Sequence, residues 1–154
     1  MFGERSARWR ASHADAAKTL GKLLIRGRTR LAEKALTEAG IGAADVTRAT
    51  HVFSGNAGYV HDVLTAIGID PSQGVLEFGR RVGHLGANDP IAALDHLVTT
   101  GAVGPGDHVL MMANGIGISL ACAVVEILRT DCWWPPTDLP GGGKAGLAAD
   151  AGLG

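Results

Sequence analysis

Residues 78–118 read FGRRVGHLGANDPIAALDHLVTTGAVGPGDHVLMMANGIGI. Four local signals follow one another in this stretch. A histidine stands between glycines, as Gly83-His84-Leu85-Gly86. Asp89-Pro90 then opens a helix, because Asp is a favoured N-cap and the fixed φ of Pro suits the first helical position. That helix is expected to stop at Gly101. Pro105-Gly106 marks a turn, and the apolar run Val109–Ala113 reads as a buried strand leading into Asn114-Gly115-Ile116-Gly117. The order is a loop with a titratable group, a helix, a turn, a strand and a glycine loop.

Downstream, 118–128 is a second apolar run, and Asn114-Gly115 between two such runs predicts a hairpin, since both turn residues tolerate positive φ. Upstream, Leu20, Leu24, Leu31, Ala35 and Ala39 recur near the helical period, with Leu23 and Leu36 beside them, and predict an amphipathic helix over 11–39. Gly27 weakens it midway and Gly40 ends it. A strand is expected over 47–53, a helix over 57–67 ending at Gly68, and a short strand over 74–78. The expected order is α-β-α-β-α-β-β. Such alternation argues a layered α/β domain, helices on a mixed, mainly parallel sheet. From Arg129 the character changes: Trp133-Trp134-Pro135-Pro136 and Gly141-Gly142-Gly143 precede an Ala/Gly-rich end, so 1–128 reads as the domain and 129–154 as a loose tail.

Composition narrows the function classes. With 154 residues, 46% hydrophobic, the chain can build one core, and aromatics at 5% leave that core to Ala, Val, Leu and Ile. The net charge of −1 gives no argument for nucleic acid or a membrane surface. The charge is uneven: Arg5, Arg8, Arg10, Lys18, Lys22, Arg26, Arg28 and Arg30 face only Glu4 and Asp15. This is either a solvated helix face or a landing surface for an acidic partner. Cys122 and Cys132 form no CxxC pair, and Cys122 reads as an inert core thiol. No apolar run approaches a membrane span, and the N-terminus has no signal-peptide stretch, so a soluble, cytoplasmic chain is expected. No metal-ligand spacing is present.

From Asp45 to Leu128, and more loosely from Met1, this pattern resembles the C-terminal part of the beta-ketoacyl-acyl-carrier-protein synthase III group of the thiolase-like superfamily. The resemblance implies a thiolase-like half-domain whose first, central strand is missing, together with the half that carries the nucleophile. The sheet must then close up around the missing strand or leave backbone donors and acceptors facing a gap, and unpaired groups would make the isolated chain unstable or association-prone. It also implies acyl transfer or ketosynthase chemistry on coenzyme A or phosphopantetheine thioesters, in fatty-acid or polyketide-type biosynthesis. The implied partners are an acyl-carrier protein or acyl-coenzyme A, and an N-terminal half or a homodimer partner. No permanently bound cofactor is implied. The alternative is a non-catalytic fragment that only associates with another thiolase-like chain.

The family's His-Gln-Ala-Asn motif falls on His51-Val52-Phe53-Ser54-Gly55-Asn56. Aligning Asn56 puts Phe53 at the histidine position; a small insertion puts His51 there. The family's Gly-Asn becomes Gly83-His84, with Asp89 five residues on. That pair resembles a divergent branch in actinobacterial polyketide and antibiotic pathways, in which the nucleophile can be Ser and a His and an Asp in this loop complete a Ser-His-Asp triad. The resemblance makes His84 the general base and Asp89 its orienter, with Phe53, Asn56, Gly115 and Gly117 shaping the substrate pocket. Each has a plainer reading: a backbone-bonded loop histidine, helix caps at Asp89 and Asn56, and hairpin glycines. Ser54 and Ser119 lack the context of a nucleophile elbow.

Overall fold

Gly27, expected only to weaken its helix, is where the first long helix meets the sheet. A Cβ there would lie 3.0 Å from Leu120 Cδ1. The computed structural model describes residues 2–53, 56–115 and 119–131. Two helices, α1 (Phe2–Ser12) and α2 (Ala14–Ala39), occupy the N-terminal region where one was expected, divided at His13. The innermost positions of α2 are Arg28, Ala32 and Leu36, one helical turn apart. The predicted leucine stripe is offset from them, and Leu20 and Leu23 are exposed. Gly40 (φ 72°) ends α2, its N–H bonding back to Leu36 and Thr37 oxygens.

The sheet has three strands among the described residues: β1 (Val46–Thr50), β2 (His108–Gly115) and β3 (Ser119–Glu126), in spatial order β1-β2-β3. β1 and β2 are parallel, and β2 and β3 antiparallel. Of the two expected outcomes, the sheet closes up around the missing strand and leaves no gap between β1 and β2. β1 pairs directly with β2 along Val46↔His108 to Thr50↔Met111, so the backbone groups predicted to face a void bond each other. A register shift between Val46 and Arg48 lets Val46 and Ala49, three residues apart, share one face.

Three more helices complete the layers: α3 (Ala57–Ile67), α4 (Leu76–Val82) and α5 (Asp89–Thr99). α2 and α3 pack on one face with Leu110 and Met112. α5 packs on the other with Val109, beside Met111 and Val125. Strand alternation sends adjacent β2 residues to the two cores.

Two local expectations are corrected. The segment expected as a strand over 74–78 instead enters α4. Its apolar run is too short to show a period by itself. Continued to Val82, it places Val75 and Gly79 inward and Glu77 and Arg80 outward, where they pair at 3.1 Å. The Asn-Gly pair is not the hairpin turn: Asn114 and Gly115 extend β2, opposite Leu120 and Ser119. The connection, 116–118, and the segment 132–154 with its expected tail lie outside the described residues. No described helix is long and apolar enough to cross a membrane.

Gly79 packs face-on against Phe53, where a Cβ would stand 2.6 Å from Cδ1 and 2.9 Å from Cγ of the ring. Gly79→Ala gains helix propensity worth about 1 kcal/mol, but overpacking a filled core costs about 1–3 kcal/mol. The variant should be less stable than wild type in a urea melt. Equal or greater stability would mean that Phe53 moves freely.

Candidate active site

The polar end of the sheet is built around one carboxylate. Asp89, the first residue of α5, has no exposed surface. Its Oδ1 accepts from Leu85 N–H at 2.6 Å, and its Oδ2 from Phe53 N–H at 2.7 Å. Oδ2 also lies 2.7 Å from His84 Nδ1. The carboxylate only accepts, so His84 Nδ1–H donates to it, and in the neutral ring Nε2 then carries the lone pair. The His84 side chain is 57% exposed against 0% for Asp89. The plain capping role expected of Asp89 is not made. The residue before α5 is Asn88, which forms no side-chain cap, and Asp89 is spent on β1's exit and the histidine loop.

The loop can take this shape because Gly83 (φ 83°) and Gly86 (φ 69°) flank the histidine in conformations that side chains disfavour. Gly83 ends α4, its own N–H bonding back to Gly79 oxygen. His84 thus sits between two helix ends.

The other predicted residues divide. The Phe53 ring is 4% exposed, edge-on to Phe78 at 5.6 Å, so Phe53 meets the site through its backbone N–H. Asn56 caps α3, with Oδ1 accepting from Tyr59 N–H at 3.1 Å. Gly115 ends β2, and a Cβ there would lie 3.3 Å from Ser119 Cβ. Gly117, like Ser54, lies outside the described residues.

His51 is held differently from His84. Its Nδ1 lies 3.0 Å from Val52 oxygen, to which it donates, and its Nε2 accepts from Val75 N–H at 3.3 Å. Both ring nitrogens are committed to backbone, in a position with almost no exposure. Burial lowers its pKa below the ordinary 6.5, against smaller raising effects from the Val52 carbonyl and Asp89. Cys122 is a poor nucleophile, because burial pushes its thiol up to about 11.

Composition hid one residue of this region. Arg28, grouped with the solvated charge run, is buried, donating to the Tyr59 hydroxyl and to Asn114 Oδ1. Its position one turn before Ala32 on the inner stripe is the only signal in the sequence that could have found it. Among the described residues no group of three His, Cys, Asp or Glu could hold a metal ion.

Residues 36–127 match the family described as 3-oxoacyl-[acyl-carrier-protein (ACP)] synthase III C terminal. Among solved structures the chain is similar to the ChlB3 acyltransferase, at 42% identity and TM-score 0.67 over 73% of this chain and 34% of that one. It is similar to the 3-oxoacyl-[acyl-carrier-protein] synthase III from Aquifex aeolicus VF5, at 20% identity and TM-score 0.64 over 71% of this chain and 35% of that one. A third likeness is to the priming beta-ketosynthase of the R1128 polyketide biosynthetic pathway, at 23% identity and TM-score 0.63 over 74% and 34%. The last two show the fold alone. The chain spans about a third of the length of these relatives. No curated protein matches it.

The state of His51 gives a pH prediction. Its folded pKa lies below the unfolded value, so between the two the unfolded chain binds a proton that the folded chain does not. Its contribution is complete above about pH 6.5 and declines as pH falls below that. Asp89 opposes the shift and Arg28 borders the same cavity. Melting temperature followed from about pH 8 to pH 5 should drop less steeply in His51→Gln than in wild type. Parallel curves would remove His51 from the acid-sensitive groups.

Proposed function

Because this chain belongs to the family of 3-oxoacyl-acyl-carrier-protein synthase III C-terminal domains, we propose that it supplies the base side of an acyltransferase site. The site acts on acyl-coenzyme A or acyl-carrier-protein thioesters, in cytoplasmic fatty-acid or polyketide-type biosynthesis. The observation that carries the reading is the buried Asp89 carboxylate holding Nδ1 of an exposed His84. This is the orienter–base half of a triad, with Nε2 left to take a proton from a nucleophile. ChlB3, the relative at 42% identity, is an acyltransferase, which supports the same chemistry.

The route is ping-pong. A Cys or Ser on a complementary thiolase-like portion loses its proton to His84 Nε2 and attacks the thioester carbonyl. The tetrahedral intermediate expels the pantetheine thiolate, which takes the proton from His84. The acceptor's nucleophile then gives its proton to His84 and attacks the acyl-enzyme, and the released Cys or Ser takes that proton from His84, restoring the starting state. Asp89 stays ionised, holding the ring's tautomer and stabilising its charged form. In this reading the backbone at Gly115 lies against the reacting thioester and Asn56 shapes the approach of the pantetheine arm, while the buried Phe53 acts through its backbone N–H on Asp89. His51, tied to backbone through both nitrogens, is a structural residue in this reading.

The test uses the chain completed by a synthase III-like portion carrying the nucleophile. His84→Ala should lower kcat/KM by about 10³-fold or more. Asp89→Asn should also lower kcat, because an amide cannot accept from both backbone N–H groups and the Nδ1–H at once. Wild-type kcat in His84→Ala would reduce His84 to a loop residue, and no turnover by the wild-type assembly would favour a chain that only associates.

The carrier protein's landing surface is the basic side of α2. Lys22, Arg26 and Arg30, with Glu33 as the one acidic member, line a groove with Ile25, Thr29 and Ala66. An acidic carrier docking there is steered by charge. Arg26→Glu with Arg30→Glu should raise KM for a carrier-bound donor and leave KM for the coenzyme A donor unchanged. Added salt should mimic the change in wild type. Equal effects on both donors would move the landing surface elsewhere.

A further inference from the structure

The close approach of α2 to Leu120 at Gly27 carries the next residue into the interior, and Arg28 is 6% exposed. Its guanidinium donates from one terminal nitrogen to the Tyr59 hydroxyl and from the other to Asn114 Oδ1. It also lies 5.2 Å from the centre of the Tyr59 ring. Both acceptors are neutral, and no ion pair to a carboxylate is formed among the described residues. Burial lowers the pKa of the group, the mark of a desolvated cation.

A buried charge without a counter-ion is costly. Packing alone does not require it, since Leu or Met would fill the same space. The planar fork does what those cannot: it reaches acceptors on two other elements at once. Arg28 joins α2 to the first turn of α3 at Tyr59 and to the penultimate residue of β2 at Asn114. Gly115 follows, paired with Ser119, and then the glycine connection. His51, Val52 and Met112 border the same cavity of about 10 Å³ as Arg28 and Tyr59. The cluster therefore abuts the exit of β1, one residue before the Phe53 N–H that Asp89 holds.

We propose that Arg28 is a positioning residue for the acyl-transfer site, acting through Asn114 to fix the end of β2 at Gly115, where it pairs with Ser119. The assignment rests on the acyl-transfer reading above. Lysine cannot substitute, because a single ammonium lacks the planar two-pronged donor geometry. Tyr59 orients the fork, and Asn114 passes the constraint to the strand.

The test has two arms, using Arg28→Met, Arg28→Lys and Asn114→Ala in the full chain. The first is amide hydrogen exchange at Ala113, Asn114, Gly115 and Leu120, with α5 as internal reference. Arg28→Met and Asn114→Ala should speed exchange at the β2 end by about tenfold or more while α5 is unchanged. Arg28→Lys should fall between them and wild type. The second arm is turnover in the completed assembly. There kcat should fall by about 10²-fold, as for a misplaced reacting group, with donor KM changed far less. The double variant Arg28→Met, Asn114→Ala should be no worse than either single one. Wild-type exchange at the β2 end in both Asn114→Ala and Arg28→Lys would overturn the assignment. So would an increase spread equally over α5, which is general destabilisation. If Arg28→Met fails to fold, Asn114→Ala carries the test, since it leaves Arg28 in place. If the wild-type assembly turns over no donor, the acyl-transfer reading fails, and the exchange arm still decides whether Arg28 sets the strand end.

Discussion

A single buried carboxylate organises this end of the molecule. Asp89 accepts from the backbone of Phe53, from the backbone of Leu85 and from His84, and none of it touches solvent. Burying an ionised carboxylate costs several kcal/mol. Hydrogen bonds to a charged group return about 1.5–3 kcal/mol each. Three such bonds are therefore of the size needed to offset the burial, and losing one tips the balance. That constraint ties three parts of the chain together. The exit of β1 must present the Phe53 N–H, the loop after α4 must bend through Gly83 and Gly86, and α5 must begin where its first side chain reaches both.

The same constraint explains why the candidate site lies where it does. β1 and β2 run parallel, and both polar clusters stand at their carboxyl ends, where α/β sheets leave a crevice beyond the strands. Val82, Leu85 and Ile91, close in sequence to His84 and Asp89, are all exposed.

Elements with a local cause were legible in the sequence. The helix Ala57–Ile67 carries its own stop in Gly68, and Asn56 caps it as expected. The helix opened by Asp89-Pro90 and the strands on either side of the glycine loop were equally plain. α4 was not, because Gly74–Phe78 is too short to show a period and Gly79, seated on Phe53, is itself a poor helix former. Strand order was not legible either. Pairing of β1 with β2 is decided by packing over a separation of some sixty residues, and neither strand's composition names its neighbour. In the site, the spacing of His84 and Asp89 was readable only through the family likeness. Their junction with the Phe53 N–H needed the fold, since a backbone donor leaves no mark in the sequence.

Arg28 shows how a charge can mislead. In a run of cations on a long helix, the economical inference is that all point outward, and Arg26 and Arg30 are exposed. Arg28 is turned inward on the stripe shared with Ala32 and Leu36, and the glycine before it brings the helix close enough to bury it. The result is two polar clusters flanking the exit of β1, one neutralised by backbone donors and one cationic with neutral acceptors. His51 stands between them with both nitrogens occupied by backbone. Through those two bonds it ties Val52, the residue before the Phe53 N–H that Asp89 holds, to Val75 at the start of α4.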